Sequence, residues 1–278
     1  MNYDFSNKVV LITGAGRREG IGSGMASAFA SYGAKVMISD IGKPEGSIFS
    51  SDNIGLDTEM KAIESELTSN KGEVKSINAD VRFESEIENA VSRTVKCFGS
   101  IDIMINNAGI GYLMSPFLDL KKDNWDAVLE VNLRGVFFGI KHAAKQMVKQ
   151  STGGRIINIS SQAAKRGFKD LAAYVASKHG LVGLTKTAAL ELGSNSITVN
   201  SICPNHITTK LGQKQNQFRA NTLGVTVDQL LIDRKNNIPL RRLGLVSDIT
   251  DMCLYLSSEN GSYITGQNID ISGGQEMH

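Results

Sequence analysis

Several kinds of residue are scarce in this sequence of 278 residues, and each scarcity excludes a class of protein. Three cysteines, odd in number and far apart, do not form a disulfide framework, and they favour a reducing compartment. The formal net charge of only +2 gives no reason to expect nucleic acid or an anionic membrane as a partner. No apolar run approaches the ~20 residues of a membrane span, and the first residues lack a basic-then-apolar signal pattern. We therefore expect a soluble, cytoplasmic protein.

Only four prolines and no Ser/Gly-rich linker interrupt the chain, whose hydrophobic fraction of 41% allows a sizeable core. Short β-rich runs alternate with longer helical stretches, a pattern typical of a parallel sheet covered on both faces. We therefore predict one α/β domain over residues 1–278, with about seven strands. The predicted strands are Val9–Thr13, Lys35–Asp40, Val74–Asp80, Ile101–Asn106, Arg155–Ser160, Thr198–Ile202 and Asn268–Ser272. The predicted helices lie near 21–32, 57–70, 84–98, 123–149, 172–192 and 247–258.

Two segments depart from this alternation. Residues 41–57, after the second strand, contain Gly, Pro, Ser and Asn and are predicted to form a surface insertion. Residues 206–240 have a mixed pattern that is polar and basic, and we interpret them as a substrate lid. Such a lid could close over a polar or anionic substrate, or its charges could remain solvated and never touch the ligand.

The stretch VVLITGAGRREGIG, residues 9–22, runs an apolar strand into a loop with four glycines. Glycines allow positive φ and let phosphate oxygens approach the backbone amides, and the following helix start adds free N–H groups. A glycine-rich turn alone can be a plain connection. Here a second strand follows and ends in Asp40, which completes the dinucleotide-binding pattern.

Asp40 and two arginines in the loop bear on the choice of dinucleotide. A carboxylate at the end of the second strand can accept hydrogen bonds from the adenosine ribose and repels a 2′-phosphate. Arg17 or Arg18 could instead pair with such a phosphate, or both could be solvated. One fixed carboxylate against two mobile arginines favours NAD, with NADP still possible.

The stretch YVASKHG places Tyr174 and Lys178 one helical turn apart on one face, and Ser161 ends the strand before it. A phenol with an ordinary pKa near 10 is a poor acid–base catalyst at neutral pH. A neighbouring ammonium lowers that pKa, and a serine hydroxyl can hold a substrate oxygen. By itself, a Tyr-x-x-x-Lys pair is more often a feature of a helix surface.

Seven motifs occur together and in order: TGAGRREGIG, NADV, NNAG, VNLRGVFFG, NISS, YVASK and ICPNHITT. With them, the sequence resembles the short-chain dehydrogenase/reductase family from about Asn7 to Gln275. The resemblance implies a Rossmann-like, doubly wound sheet and an NAD(P)-dependent oxidoreductase acting on a secondary alcohol or its ketone. It implies Asn132, Ser161, Tyr174 and Lys178 as catalytic residues, with Tyr174 as general acid/base and Asn132 in a proton relay. The tyrosine–lysine spacing argues against the enoyl-reductase branch of the family.

The same resemblance, together with the glycine loop, assigns binding roles. The predicted cofactor-binding residues are Gly14, Gly16, Arg17, Gly20, Ile21, Gly22, Asp40, Asp80, Val81, Asn107, Ala108, Gly109, Tyr174, Lys178, Pro204, Ile207 and Thr209. The residues implied to shape the substrate pocket are Gln162, Phe168 and His206. Where the family has Pro-Gly after the sixth strand, this chain has Pro204–Asn205, and asparagine tolerates positive φ better than most residues.

Two further expectations concern what the protein is not and how it assembles. A catalytically silent dinucleotide sensor or scaffold on the same fold is the alternative function, but the full catalytic set is present. The four histidines show no metal-ligand spacing, so no metal site is predicted.

The segment around 172–192 is apolar on more than one stripe, which predicts burial on two sides. With the family resemblance, this favours a homotetramer over a monomer.

Overall fold

The computed structural model describes residues 3–70 and 72–277, so the predicted boundaries at 1 and 278 lie outside it, as does Lys71. The described part contains one parallel sheet of seven strands in the order β3-β2-β1-β4-β5-β6-β7. The strands are β1 (Val9–Thr13), β2 (Lys35–Asp40), β3 (Glu73–Asn78), β4 (Ile103–Asn106), β5 (Gly154–Ile159), β6 (Ile197–Pro204) and β7 (Asn268–Ile271). The predicted doubly wound sheet is confirmed.

Helices cover both faces of this sheet. They are α1 (Ile21–Ser31), α2 (Asp57–Ser69), α3 (Glu84–Phe98), α4 (Lys122–Leu129), α5 (Gly135–Gln150), α6 (Ala172–Leu192), α7 (Lys210–Leu223), α8 (Val227–Asn237) and α9 (Val246–Ser257). Because side chains alternate along a strand, β1 sends Val10 and Ile12 into the core beneath α1 and α9. Leu11 between them enters the second core, beneath α3, α5 and α6.

The strand order reverses between β1 and β4, where the first half of the sheet runs to β3 and the second to β7. In open parallel sheets, the crevice outside the carboxyl ends of the strands at this point holds ligands. The chain leaves β1 at Gly14, β4 at Asn107, β5 at Ser160 and β6 at Asn205. The predicted loop, turn and serine motifs therefore all lie at one edge.

The predicted helix over 123–149 is divided in the structure. Helix α4 ends at Leu129, a π-helical turn spans Glu130–Arg134, and α5 begins at Gly135. Single π-helical turns inside α-helices are frequent at functional sites. The turn carries Asn132, which is fully buried.

The two irregular segments are ordered in different ways. Residues 41–57 form a loop whose ends pair, since the Gly42 amide donates to the Gly55 carbonyl at 3.0 Å. In the segment 206–240 lie α7 and α8, each with a threonine cap: Thr209 accepts from the Gly212 amide and Thr226 from the Gln229 amide. The segment with the mixed sequence pattern therefore contains two regular helices that the sequence did not predict.

Helix α6 presents apolar residues on more than one side. Leu181, Ala188 and Ala189 are buried against the sheet, whereas Leu190 is 86% exposed. On α5, Phe137 is 44% exposed. The excess of apolar residues seen in the sequence therefore corresponds to apolar side chains left on the surface of a single chain.

Candidate functional site

A cavity of about 700 Å³ lies at the carboxyl edge of the sheet. At one end, it is lined by the glycine loop and the 41–57 insertion. At the other end, it is lined by α8, the second half of α7 and the segment after β5. The first half of α7 reaches the insertion, where the Lys214 Nζ donates to the Asp52 carbonyl at 3.2 Å. A volume of this order is ordinary for a ligand site. Most predicted site residues line it: Gly14, Arg17, Gly20, Ile21, Asp40, Asp80, Val81, Asn107, Ala108, Gly109, Ser161, Gln162, Phe168, Tyr174, Lys178, Pro204, His206, Ile207 and Thr209.

Three predicted residues do not line the cavity and contact protein instead. A Cβ on Gly22 would lie 2.6 Å from the Asn107 Nδ2 and 2.7 Å from the Gly14 carbonyl oxygen. A Cβ on Gly16 would lie 2.7 Å from the Cβ of Asp40. Both glycines therefore allow close packing of the loop rather than contact with a ligand, and Asn132, the third, is described below.

The start of α1 provides unpaired backbone donors. Gly20 is its N-cap, and no side chain in the described part of the chain caps this end. The first N–H groups of a helix have no partner within the helix, and with the helix dipole they favour an anion. Gly20 and Ile21 both line the cavity, so this end can hold a phosphate group.

The two loop arginines point to different places. Arg18 turns away from the cavity, and its Nη1 pairs with Glu66 Oε2 of α2 at 2.5 Å. Arg17 lines the cavity, and its Nη2 donates to the Asp52 carbonyl in the insertion at 2.9 Å. Of the two, only Arg17 lines the cavity.

Asp40 holds the glycine loop and the insertion together. Its Oδ2 accepts from the Gly16 amide at 3.0 Å, and its Oδ1 accepts from the Ile41 and Gly55 amides at 2.9 and 3.1 Å. Burial raises the pKa of this carboxyl above its ordinary value, against the opposing effect of the three amides. A carboxylate has about four lone-pair sites, so Oδ2 keeps capacity for a ribose hydroxyl.

Asp80 is also engaged by protein groups. Its carboxylate accepts a hydrogen bond from the Arg82 Nε at 2.9 Å, and the Arg82 guanidinium also forms an ion pair with Glu45 of the insertion. The same guanidinium lies 3.9 Å from the ring centroid of Phe49. This cluster anchors the insertion beside the cavity, and Phe49 forms part of the cavity wall there.

The turn after β4 braces the glycine loop. Asn107 donates through Nδ2 to the Thr13 and Gly14 carbonyls at 2.9 and 2.8 Å. The amides of Asn107 and Ala108 donate to the Thr13 hydroxyl. These bonds set the position of Ala108 and Gly109, which line the cavity beside the loop.

Tyr174 and Lys178 both line the cavity, from the first turns of α6. The Lys178 Nζ lies 5.7 Å from the Tyr174 ring centroid and donates to the Ile159 carbonyl at 2.9 Å. Burial raises the pKa of Tyr174, and hydrogen bonding to Ser161 opposes this. The sequence predicted that the ammonium would lower this pKa. In the structure, desolvation of the phenol outweighs other effects, and burial lowers the pKa of Lys178 itself to about 8.

Asn132 supports this centre from the protein side. Its Oδ1 accepts from the Ile110 amide and its Nδ2 donates to the Ile110 carbonyl, both at 2.8 Å. Its Nδ2 also lies 3.3 Å from the Ser177 hydroxyl on α6. The side chain therefore joins the π-helical turn to the turn after β4 and to the tyrosine–lysine helix.

The predicted substrate residues line the far end of the cavity. Gln162 is 6% exposed, and its Oε1 has no hydrogen-bond partner among the residues that the structure describes. His206 has its pKa lowered to about 3, first by burial and then by Arg234 and Arg166, so its imidazole is neutral. The Arg166 guanidinium lies over the Phe168 ring, 4.7 Å from the centroid of that ring.

The segment after β6 connects the cavity to α7. Asn205 does not adopt the positive φ that its sequence position suggested. Instead its amide donates to the Ile271 carbonyl at 3.1 Å, which ties the turn to β7. Ile207 contacts the chain at Gly244, and Thr209 caps α7.

Several lining residues were not identified from the sequence. Phe49 and Ile54 belong to the insertion, Tyr112 follows β4, and Arg219 and Arg234 project from the lid helices. Tyr112 donates to the Ile48 carbonyl at 2.7 Å, which joins its loop to the insertion. The basic composition of 206–240 was a signal for the two arginines, but it did not single them out.

Two other classes of site have no counterpart in the described residues. In residues 3–70 and 72–277, no group of three His, Cys, Asp or Glu side chains is placed to hold a metal ion. No helix in those ranges has the length and apolar character needed to cross a bilayer.

Comparison with known proteins places this geometry among oxidoreductases. Residues 14–276 match a family model described as enoyl-(acyl carrier protein) reductase. A short-chain dehydrogenase/reductase of Armillaria gallica is 38% identical over 96% of this chain and 95% of its own length. The D-beta-hydroxybutyrate dehydrogenase of Rhizobium meliloti (strain 1021) is 33% identical over 96% and 98%. The crystal structure of an NAD+-bound xylitol dehydrogenase superposes with a TM-score of 0.87 at 30% identity, covering 97% of this chain and 99% of that one.

Proposed function

The chain belongs to the short-chain dehydrogenase/reductase family of NAD(P)-dependent oxidoreductases, and we propose that it moves a hydride between NAD and a secondary alcohol or its ketone. One observation carries the proposal. The partly buried Tyr174 and the buried Lys178, with Ser161 beside the phenol, line the same cavity as the glycine loop. A proton-transfer group and a phosphate-binding loop in one cavity suit oxidation of a hydroxyl group.

The cofactor fits the residues present at the loop end of the cavity. The start of α1 and the glycine loop would hold the pyrophosphate, and Asp40 would accept from the adenosine ribose through its remaining lone pair. The bound nicotinamide supplies the hydride acceptor or donor. Ile207 and Thr209, which line the cavity, are proposed to contact the nicotinamide end.

The chain's own residues handle the proton. Ser161 holds the substrate oxygen by a hydrogen bond, and the Tyr174 hydroxyl gives or takes the proton at that oxygen. The Lys178 ammonium favours the phenolate when it forms. Asn132 positions the turn after β4 and the Ser177 region of α6, which keeps these groups in register.

NAD is proposed over NADP because of where the charges lie. The Asp40 carboxylate is fixed by three amides beside the loop, where a 2′-phosphate would meet a like charge. Arg18 pairs with Glu66, away from the cavity, and Arg17 is held by the Asp52 carbonyl. The fixed Asp40 carboxylate would therefore repel a 2′-phosphate, and the one arginine beside it, Arg17, is already hydrogen-bonded to the insertion.

Two other readings are less well supported. An enoyl reductase, the description of the matching family model, is disfavoured by the one-turn spacing between Tyr174 and Lys178. A silent sensor is disfavoured because Asn132, Ser161, Tyr174 and Lys178 are all present and come together. The segment 206–240 is proposed as the substrate lid, since α7 and α8 both line the far end of the cavity.

Replacing Tyr174 by Phe tests the proposal. The variant should lose turnover of alcohols and ketones by about 10²–10⁴-fold, the usual contribution of a positioned acid–base group. Absorbance of the reduced nicotinamide measures turnover, and titration calorimetry measures NAD binding, which should stay nearly intact. Tyr263→Phe is the matched control because that side chain is fully exposed. Wild-type rates in Tyr174→Phe would refute the assignment of the proton donor.

A further inference from the structure

The far end of the cavity contains a cluster of cations that the proposed reaction does not use. Arg219 on α7 and Arg234 on α8 line the cavity there, and Arg166 lies close behind His206. The acidic residues that line the cavity, Glu19, Asp40 and Asp80, are all at the cofactor end or its edge. The carboxylates that line the cavity are therefore confined to the cofactor end, where Arg17 also lies, whereas Arg219 and Arg234 line the substrate end.

Two of these three arginines have carboxylate partners. Arg166 Nε lies 2.6 Å from Glu276 Oε1, and Arg219 Nη1 lies 3.6 Å from Asp170 Oδ2. Arg234 contacts the side-chain oxygen of Asn216 through its Nη1. In residues 3–70 and 72–277, no carboxylate lies within ion-pair distance of Arg234, so nothing in these ranges neutralises its charge.

The surroundings of Arg234 make this arrangement costly in the unliganded protein. The side chain is partly buried, and its burial and the nearby Arg219 lower its pKa to about 10, so it remains charged at neutral pH. His206 does not offset the charge, because its own imidazole is neutral. An unpaired, partly desolvated cation that faces a ligand cavity is a candidate for pairing with the ligand.

We propose that the substrate is an anion, with an oxyanion group such as a carboxylate bound by Arg234 at the far end of the cavity. A guanidinium presents paired N–H donors that match a carboxylate or a phosphate in two parallel hydrogen bonds. The reacting hydroxyl or ketone of the same molecule would lie at Ser161 and Tyr174. This inference rests on the proposed function and narrows its substrate to hydroxy acids, oxo acids or hydroxyalkyl phosphates.

Matched pairs of substrates provide the test. Short 2-, 3- and 4-hydroxy acids are each assayed beside the uncharged primary amide of the same length, with NAD as cofactor. Hydroxyalkyl phosphates of equal length form a second arm, which distinguishes a phosphate from a carboxylate. The wild type should favour one anion over its neutral counterpart by at least about tenfold in kcat/KM, as expected for one charge-assisted contact.

The variant Arg234→Gln keeps a hydrogen-bonding side chain and removes the charge. We expect it to lower kcat/KM for the anion by about 10- to 100-fold, mainly through KM, because the contact is made equally in the bound and transition states. Turnover of the amide should change by less than about threefold. Arg234→Lys, which keeps a charge without the planar fork, should recover part of the loss.

Lys235→Gln is the matched control, since Lys235 is the next residue of α8, is exposed and does not line the cavity. It should behave like the wild type towards both substrates. Equal losses in Arg234→Gln for acid and amide, or an equal loss in Lys235→Gln, would overturn the inference. So would a wild type that turns over amides as well as acids, although the proposed oxidoreductase function would then still stand.

A binding measurement keeps the inference testable if none of these compounds is turned over. Butanoate and butanamide are titrated calorimetrically into the wild type and Arg234→Gln, each saturated with NAD. Tighter binding of butanoate that disappears in Arg234→Gln would support the anion site independently of catalysis. Equal binding of the two probes to the wild type would reject it.

Discussion

Lys178 carries a charge into the centre of the protein, and its replacement should stabilise the unliganded fold. Burial lowers the pKa of its ammonium from 10.5 to about 8. Each pKa unit corresponds to about 1.4 kcal/mol, so keeping Lys178 charged at pH 7 costs about 3 kcal/mol relative to the unfolded chain. Lys178→Met removes that cost and fills the same volume with an apolar side chain.

One opposing effect reduces the gain. The ammonium donates to the Ile159 carbonyl at 2.9 Å, and Met leaves that buried oxygen without this donor. An unsatisfied buried acceptor costs about 1 kcal/mol or somewhat more. The net expectation is that Lys178→Met increases the free energy of unfolding by about 2 kcal/mol at pH 7 and abolishes turnover.

The pH dependence separates this cause from better packing. Between about pH 8 and 10.5 the folded protein binds fewer protons at Lys178 than the unfolded chain does, so wild-type stability rises with pH in that window. The stability gap between variant and wild type should therefore shrink by about 2 kcal/mol from pH 7 to pH 9.5.

Urea unfolding of both proteins without cofactor, at matched protein concentration, measures the gap at the two pH values. Lys235→Met on the exposed side of α8 is the control, and its effect should be small and independent of pH. A Lys178→Met variant that is less stable than the wild type at pH 7 would refute the reasoning. A stability difference between variant and wild type that is the same at pH 9.5 as at pH 7 would also refute it.

Three further outcomes are expected. Asp40→Ala should weaken NAD binding and make NADP relatively more acceptable. It should also lower the free energy of unfolding by about 1–3 kcal/mol, because three backbone amides lose their acceptor. Calorimetric titration with both cofactors measures the preference, and a wild type that already prefers NADP would contradict this prediction. Because burial raises the pKa of Tyr174, alcohol oxidation, which needs the phenolate, should accelerate with rising pH while ketone reduction slows, as pH–rate profiles in both directions would show. The protein should form a homotetramer that covers Leu190 and Phe137, and light scattering that finds a stable mass near 30 kDa would reject this.

The sheet and its site edge could be predicted from the sequence because their signals are local. The strands β1 and β2 have the bounds that their apolar runs predict, and Tyr174 and Lys178 share a helix face by spacing alone. The order of the motifs then supported the resemblance to a known family, which assigned roles to their residues. By contrast, the π-helical turn at Asn132 depends on bonds to Ile110, which lies 22 residues away, and no helical pattern contains that information.

Charge state was the property that the sequence predicted least well. Tyr174 next to Lys178 suggested an activated phenol, but pKa values depend on burial, which is set by every element around the cavity. Likewise, Arg234 is one of several basic residues in a polar segment. Only the tertiary packing shows that Arg219 and Arg166 have carboxylate partners, whereas Arg234 has none among the described residues.

Asp40 illustrates how a correct motif can conceal a second role. Its position after β2 predicts a ribose acceptor, and nothing local shows that Gly55, fifteen residues later, returns to donate to the same carboxylate. A Cβ on Gly55 would lie 2.6 Å from the Asp40 Oδ2 and 2.7 Å from the Gly16 Cα, so the insertion is packed directly against the loop. The residue that is proposed to select the cofactor therefore also positions the 41–57 insertion. Cofactor preference and the conformation of this insertion should consequently change together, since neither can be altered without moving the same carboxylate.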